Sequence, residues 1–173
     1  MHVSLTNNSE EVLQEVHEGV YEIGLVTLNE QKLERLCKDY DLECEILMRD
    51  EVVGVMSHRV ANVEKKAINQ YELSTDRLSL YGIDPLEEYR EGVSRYISVS
   101  NDINFHKNLT VEMNAIVLLP GIAAKQFFNS SKYIILPLKD TDVPLVHAAI
   151  YHRTISQENW DVVALIRKAL LQS

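Results

Sequence analysis

The sequence predicts an α/β fold of two small lobes joined by two extended crossover strands. The first observation is the run Leu42–His58, which is rich in apolar and β-branched residues and, at about 3.3 Å per residue, longer than an ordinary strand. Its charged break, Arg49-Asp50-Glu51, has no Gly or Asn to form a tight hairpin turn. The second observation is a later extended run, Pro144–His152, which could return the chain to the first lobe.

The composition excludes several classes of protein. Of the 173 residues, 46% are hydrophobic, which is enough for a core. The net charge is −9 and no Lys/Arg cluster occurs, so we expect no direct contact with nucleic acid. No apolar run approaches the roughly 18 residues of a membrane span, and the N-terminus does not resemble a signal peptide. Cys37 and Cys44 have no CxxC spacing, so we expect free thiols in a cytoplasmic protein.

The first part of the chain predicts alternating strands and helices. His2–Leu5 is expected to form a short strand, and Ser9 is interpreted as the N-cap of a helix that ends at Gly19. Val20–Leu28 is apolar at positions on both faces, as in a buried parallel strand. Glu30–Tyr40 carries apolar residues at helical spacing. The strand–helix–strand–helix order predicts a parallel sheet with right-handed crossovers.

The middle of the chain predicts the second lobe. We expect strands at Leu78–Tyr81, Tyr96–Ser100, Ala115–Leu119 and Tyr133–Leu138. We expect helices at 84–95, Asn104–Asn114 and Ile122–Phe128, the first of them from its Asp-Pro-Leu-Glu start. Ser156 is then expected to cap a last helix, Gln157–Leu171, with a wide and largely buried apolar surface. Residues 1–52 and 149–173 are assigned to lobe I, and residues 53–148 to lobe II.

The sequence contains no catalytic motif, whether G-x-S-x-G, P-loop, G-x-G-x-x-G or H-E-x-x-H. His147 and His152 lie five residues apart on a predicted strand, so they point to opposite faces and cannot share a metal. His58 is interpreted as a structural or surface residue. We therefore expect no enzyme activity, no metal and no cofactor.

Polar residues that follow predicted strands or begin helices are the candidate ligand-binding residues. In α/β lobes, ligands bind at the carboxyl ends of strands and near helix N-termini. These candidates are Asn8, Ser9, Thr27, Ser98, Ser100 and Asn114. Ser9 could instead serve only as a cap, and Asn114 could simply end a helix. Together they predict a small cleft between the lobes, polar and neutral to anion-friendly.

Several stretches resemble, in the same order, the effector-binding domain of LysR-type transcriptional regulators. VLQEVHEGVYEIGLV resembles the family's helix-Gly-strand segment, with Glu22 in its usual acidic place. ILMRDEVVGVMSHRVA resembles the crossover strand, although Arg59 stands where the family commonly has a proline. Further resemblances are AINQYELSTDRLSLYG to the linker into the second lobe, VEMNAIVLLPGIAA to the Leu-Pro run, and YIILPLKD with PLVHAAIYHR to the closing segment.

Two departures accompany this resemblance. Met113 and Ala115 stand where the family usually has Gly-x-Gly, which could narrow the cleft or change which effector fits. The chain also begins after the family's winged helix-turn-helix and after the first strand and helix of the effector domain. The resemblance therefore implies a two-lobed, periplasmic-binding-protein-like (type 2) fold with an N-terminally truncated first lobe.

The function implied by the resemblance is sensing. A small-molecule effector, such as an organic acid, would bind between the lobes, shift them, and so reposition DNA-binding heads absent from this chain. The resemblance also implies a homodimer. Three alternatives stay open: a solute-binding protein, which the missing signal peptide disfavours; an enzyme, which the missing catalytic residues disfavour; and a degenerate module that only dimerises, which Met113 and Ala115 keep possible.

Overall fold

A computed structural model gives the fold of this chain and describes residues 8–59, 65–75, 78–81, 96–139 and 144–170. The chain divides into two compact units, which we call unit 1 (Met1–Asp50 with Pro144–Ser173) and unit 2 (Glu51–Val143). The lobe limits expected from the sequence, after residues 52 and 148, stay a prediction. The expected strand His2–Leu5 and the expected helix at 84–95 lie outside the described residues.

Unit 1 is built on strands from both ends of the chain. Its elements are α1 (Ser9–His17), β1 (Ile23–Leu28), α2 (Glu30–Asp39), the first part of β2 (Glu43–Ser57), β7 (Pro144–Tyr151) and α6 (Gln157–Leu170). Strand β7 lies between β1 and β2, and it pairs with β1 in antiparallel register from Ile23 opposite Tyr151 to Leu28 opposite Val146. The prediction of a parallel strand buried on both faces over Val20–Leu28 is therefore wrong. The strand begins only at Ile23, and Leu25 on its outer face is 51% exposed.

Helix α1 is capped by Asn8 and not, as the sequence suggested, by Ser9. The backbone of Asn8 is still extended, and its Oδ1 accepts a hydrogen bond from the Glu10 N–H at 2.9 Å, so Ser9 is already the first helical residue. The predicted end at Gly19 is confirmed, with φ at +73°. Helix α1 and strand β1 pack so closely that a Cβ on Gly24 would lie 2.5 Å from Cγ1 of Val12.

The core of unit 1 confirms one helix prediction and corrects another. Leu33, Leu36 and Cys37 of α2 are buried, as its apolar spacing predicted. On α6, by contrast, Val163 is buried while Trp160 and Ala164 are exposed, so the expectation of a largely buried apolar surface was wrong. Only one line of α6 side chains packs on the small cluster formed by β2 and β7. A wide apolar stripe on a helix is therefore not by itself evidence that the whole stripe is buried.

The two cysteines are free, as expected, and both belong to unit 1. Cys37 is buried and Cys44 is half-buried. Burial, together with the neighbouring Cys44, raises the pKa of Cys37 to about 12. The Cys37 thiol is consequently protonated at neutral pH and a poor nucleophile.

Unit 2 is a mixed sheet with short helices. Its elements are the second part of β2, α3 (Gln70–Thr75), β3 (Leu78–Tyr81), β4 (Tyr96–Ser100), α4 (Ile103–Glu112), β5 (Ile116–Pro120), α5 (Gly121–Phe127) and β6 (Tyr133–Pro137). Strand β2 pairs antiparallel with β5 and β6, and β3 lies parallel between β5 and β4. Every residue of β5 is buried, as expected for its unbroken apolar run.

The long run that suggested a crossover forms one strand without a hairpin, so that prediction is confirmed. Glu43–Asp50 belongs to unit 1 and Glu51–Ser57 to unit 2. Burial changes at the charged break: the residues from Val52 to Ser57 are all buried, whereas Arg49 is exposed and ion-paired with Glu30.

Candidate functional site

A chain of hydrogen bonds runs through the interior of unit 2 around His106. Ser98 Oγ lies 2.8 Å from Ser79 Oγ, which in turn lies 2.7 Å from Nδ1 of His106. His106 Nε2 lies 2.8 Å from the carbonyl oxygen of Ser100. Ser79 and His106 are fully buried, whereas Ser98 is half-buried. We call these four residues the His106 network.

The carbonyl at one end, together with a neutral ring, sets the direction of the hydrogen bonds in the His106 network. A carbonyl oxygen can only accept, so Nε2 of His106 carries a proton and donates it to Ser100. Burial lowers the pKa of His106, with the Ser100 carbonyl and Asp102 opposing the shift, and this favours the neutral ring. Nδ1 then accepts from Ser79, whose oxygen must accept from Ser98. The hydroxyl of Ser98 is left with acceptor capacity only.

The turn between β4 and α4 holds His106 in place. Asp102 is the N-cap of α4, and its Oδ1 accepts from the N–H groups of Asn104 at 2.9 Å and Phe105 at 3.2 Å. Ser100 Oγ accepts from the Asp102 N–H at 3.0 Å. Asp102 therefore occupies the N–H groups of Asn104 and Phe105 at this helix N-terminus with the protein's own carboxylate.

Unit 1 contains a second histidine network, formed by one residue from each of three strands. Thr27 of β1 lies opposite His147 of β7, with Oγ1 2.8 Å from Nδ1. His147 Nε2 lies 3.0 Å from Oδ2 of Asp50 on β2. The side chains are largely buried, at 14% exposure for His147 and 10% for Asp50. We call these three residues the His147 network. Since a carboxylate accepts, Nε2 donates to Asp50 and the ring ties the three strands together.

The other predicted site residues lie at helix ends. Asn8 and Ser9 lie at the beginning of α1. Because the connection from α1 to β1 is short, the two elements run in opposite directions, and Asn8 and Thr27 lie toward the same end of unit 1. Asn114 directly follows α4, is exposed, and has φ at +54°, which makes it a helix-ending residue. The structure joins Ser98 and Ser100 through the His106 network, and it places Asn114 at the opposite end of α4 from Ser100.

Ser79, His106, Asp50 and His147 were not among the predicted site residues. His106 leaves a local signal, because a polar residue at the inward spacing of Ile103, His106 and Thr110 on an amphipathic helix needs a buried partner. Asp50 and His147 leave none, since their meeting depends on how β7 lies against β2.

Within the described ranges, no three His, Cys, Asp or Glu side chains are grouped so that they could hold a metal ion. Among the helices that the structure describes, none is both long and apolar enough to span a membrane.

Comparison with known proteins places this fold. Residues 2–169 match the family of the LysR substrate binding domain. The reduced regulatory domain of OxyR from Pseudomonas aeruginosa is similar, with a TM-score of 0.68 and 11% identity over 92% of this chain and 77% of that one. HinK, a LysR family regulator from the same organism, has a TM-score of 0.69 and 16% identity over 94% of this chain and 57% of its own.

A third similar structure is full-length HypT from Salmonella typhimurium, a hypochlorite-specific LysR-type regulator, with a TM-score of 0.64 and 15% identity. It is matched over 95% of this chain and 57% of its own, so the chain spans little more than half the length of HinK and HypT. At these identities the structural likeness shows the fold alone. No match is found among curated proteins.

The family match confirms the resemblance seen in the sequence and the periplasmic-binding-protein-like α/β fold. Domains of this kind are effector-binding regulatory parts of transcription regulators and not enzymes, so the hydroxyl–imidazole–carboxylate order of the His147 network is not interpreted as a catalytic triad. The chain belongs to the LysR substrate-binding domain family.

Proposed function

We propose that this domain binds a small metabolite through Ser98 and Ser100 and passes the change to a DNA-binding domain outside the chain. The observation that carries the proposal is the His106 network: its inner members are fully buried and mutually bonded, while Ser98 is half-buried and keeps free acceptor capacity. A preorganised polar group at the edge of a rigid network is what ligand recognition requires. Thr27, which is half-buried and bonded to His147, is the corresponding polar group in unit 1.

The direction of the hydrogen bonds narrows the ligand chemistry. Ser98 offers an acceptor, so it matches a hydroxyl, amide or ammonium group of the ligand and not a bare carboxylate. The N-terminus of α4 does not compensate, because Asp102 already occupies its N–H groups. An organic acid that also carries a hydroxyl or amino group would satisfy Ser98, with its carboxylate bound elsewhere.

The remaining functional features of the proposal come from the family. We expect two copies of the chain to pair, as the resemblance implies, and the domain to act in the cytoplasm without contacting nucleic acid itself. The net charge of −9 supports the last point, because it disfavours approach to a phosphate backbone.

A ligand screen on two variants tests the proposal. Carboxylic acids are supplied in pairs that differ by one hydroxyl or amino group, and binding is measured by thermal shift and calorimetry. We expect the substituted member of at least one pair to bind more tightly, and Ser98→Ala to remove that advantage, about tenfold for one hydrogen bond. Ser130→Ala, at an exposed serine whose backbone carbonyl accepts from Tyr133, is the matched control.

Two outcomes contradict the proposal. If Ser98→Ala binds every acid as tightly as the wild type, Ser98 is structural only. If no acid stabilises the wild type while sedimentation shows a stable dimer, the domain is the dimerisation-only module that Met113 and Ala115 keep possible.

A further inference from the structure

Unit 2 carries a polar surface pocket that none of the four residues of the His106 network lines. It is a surface pocket of about 480 Å³ between the end of β2, the second half of α4 and the beginning of β6. We call it the basic pocket, and define it by Ser57, Arg59, Lys107, Asn108, Ser131 and Lys132. Its volume is in the range of small-molecule sites. Ser98 and Ser100 are not among its lining residues.

The charges of the basic pocket oppose those of the whole chain. Arg59, Lys107 and Lys132 line it with one carboxylate, Glu112, although the chain as a whole has a net charge of −9. Within the described residues, none of the three cations forms an ion pair, whereas Arg49 and Arg153 each pair with a glutamate. Three cations against one carboxylate on a concave surface, with no ion pair among them, give a net positive charge that attracts anions.

Two contacts fix the walls of the basic pocket. The backbone N–H of His58, which also lines it, donates to the carbonyl of Lys132 at 2.8 Å and so joins the end of β2 to the beginning of β6. On the helix side, Nζ of Lys107 lies 5.9 Å from the centre of the Phe128 ring, a cation–π contact that holds the ammonium group in place. These contacts join the end of β2 to the beginning of β6 and orient the ammonium group of Lys107.

Ser57 adds an independent sign of a ligand. Its residue is only 4% exposed, it lines the pocket, and its Oγ accepts from the Arg59 N–H at 3.4 Å. An accepted hydrogen bond leaves the hydroxyl proton of Ser57 unused, and among the described residues no acceptor is bonded to it. Buried hydroxyl groups normally donate as well as accept. A ligand oxygen in the pocket would supply the missing acceptor.

We propose that the basic pocket binds a small multivalent oxyanion, a phosphate ester or a polycarboxylate, at a site separate from Ser98 and Ser100. The Arg59 guanidinium offers a fork for two oxygens, Lys107 and Lys132 offer point charges, and Ser57 and Asn108 offer neutral donors. His106 and Lys107 are consecutive on α4, so the helix that carries the His106 network also forms one wall of this second site.

Calorimetry with three probes at constant ionic strength tests the inference. The probes are inorganic phosphate, glucose 6-phosphate and citrate, with chloride setting the background. We expect saturable binding of at least one probe, and the comparison of glucose 6-phosphate with citrate shows which oxyanion chemistry is preferred.

The double variant Arg59→Gln with Lys132→Gln should weaken the binding of that probe by about tenfold or more, because two charge-assisted hydrogen bonds are lost. Ser57→Ala should weaken it by about threefold while leaving the charge unchanged.

The matched control makes the same change of charge elsewhere. Arg35→Gln with Lys168→Gln removes two exposed cations from unit 1 and should leave binding within about twofold of the wild type. The inference is overturned if no probe binds saturably, or if both double variants weaken binding equally. It is also overturned if Arg59→Gln with Lys132→Gln changes only the dimer dissociation constant measured by sedimentation. In that case the pocket would bind an acidic surface of a second copy of the chain.

Discussion

The two units each bury a histidine, and the difference between the two histidines shows how a partner sets the role of a side chain. Nδ1 of each ring lies next to a hydroxyl, Thr27 for His147 and Ser79 for His106. Nε2 meets the carboxylate of Asp50 in unit 1 but a backbone carbonyl in unit 2. Burial of His106 favours the neutral ring although the Ser100 carbonyl opposes this shift of its pKa, whereas in unit 1 the Asp50 carboxylate accepts from His147.

This difference has a consequence for ligand recognition. A neutral His106 orders the hydroxyls of Ser79 and Ser98 in one direction and leaves Ser98 as an acceptor. In unit 1, the direction of the hydrogen bond between Thr27 and His147 depends on whether Nδ1 of the ring carries a proton. Unit 2 therefore presents a fixed polarity to a ligand.

The largest expected effect is the loss of the buried ring in unit 2. His106→Ala removes a fully buried side chain and leaves Ser79 and the Ser100 carbonyl unsatisfied, which should lower the free energy of unfolding by about 3 kcal/mol. His147→Ala, at a partly exposed site, should cost about 1–2 kcal/mol. Urea denaturation measures the free energy of unfolding of both variants. A larger loss for His147→Ala than for His106→Ala would contradict the expectation that the His106 network contributes more to stability.

The next effect compares the N-caps of one helix in each unit. Asp102 accepts from two N–H groups at the start of α4, whereas Asn8 is bonded to one at the start of α1. We expect Asp102→Ala to cost about 2 kcal/mol and Asn8→Ala about 1 kcal/mol. Asp102→Asn, which keeps an acceptor, should recover most of the loss. Equal losses at both caps would mean that Asp102 contributes nothing beyond an ordinary N-cap.

Other elements of the fold show what could be predicted from the sequence and what could not. The apolar spacing of α2 and the turn-free run of β2 are local properties, and both elements were predicted correctly. The burial of β1 and α6 depends on which neighbours cover them, and those predictions were wrong. Ser98 and Thr27 were selected by the rule that ligands bind at the carboxyl ends of strands in α/β lobes. Their connection to His106 (through Ser79) and to His147 depends on long-range strand and helix packing that one sequence does not reveal.

A smaller effect is expected where α1 and α4 end. Gly19 and Asn114 have φ values of +73° and +54°, a region that disfavours side chains with a Cβ. Asn114→Ala should therefore cost about 1 kcal/mol, and Asn114→Gly should be neutral or slightly stabilising. Gly19→Ala should cost about as much as Asn114→Ala. Thermal unfolding of the three variants measures this, and a destabilising Asn114→Gly would show that the Asn114 side chain makes contacts of its own.

The smallest expected effect is a dependence of stability on pH. Because burial lowers the pKa of folded His106, the unfolded chain binds a proton near pH 6.5 that the folded chain does not. Stability is therefore lost as the pH falls below about 6.5, by less than about 1 kcal/mol at pH 6 from this group. His106→Gln should show a shallower loss than the wild type between pH 7.5 and 6. An unchanged slope would mean that His106 titrates equally in both states.

The proposed role of Ser98 requires a neutral His106 with its proton on Nε2, and ¹⁵N NMR of the histidine rings measures this directly. At pH 7 we expect the His106 ring to show a protonated Nε2 and an unprotonated Nδ1 that accepts a hydrogen bond, with the pattern lost in His106→Gln. A ring protonated on both nitrogens, or on Nδ1 alone, would contradict it. Ser98 would then no longer be restricted to accepting hydrogen bonds from a ligand.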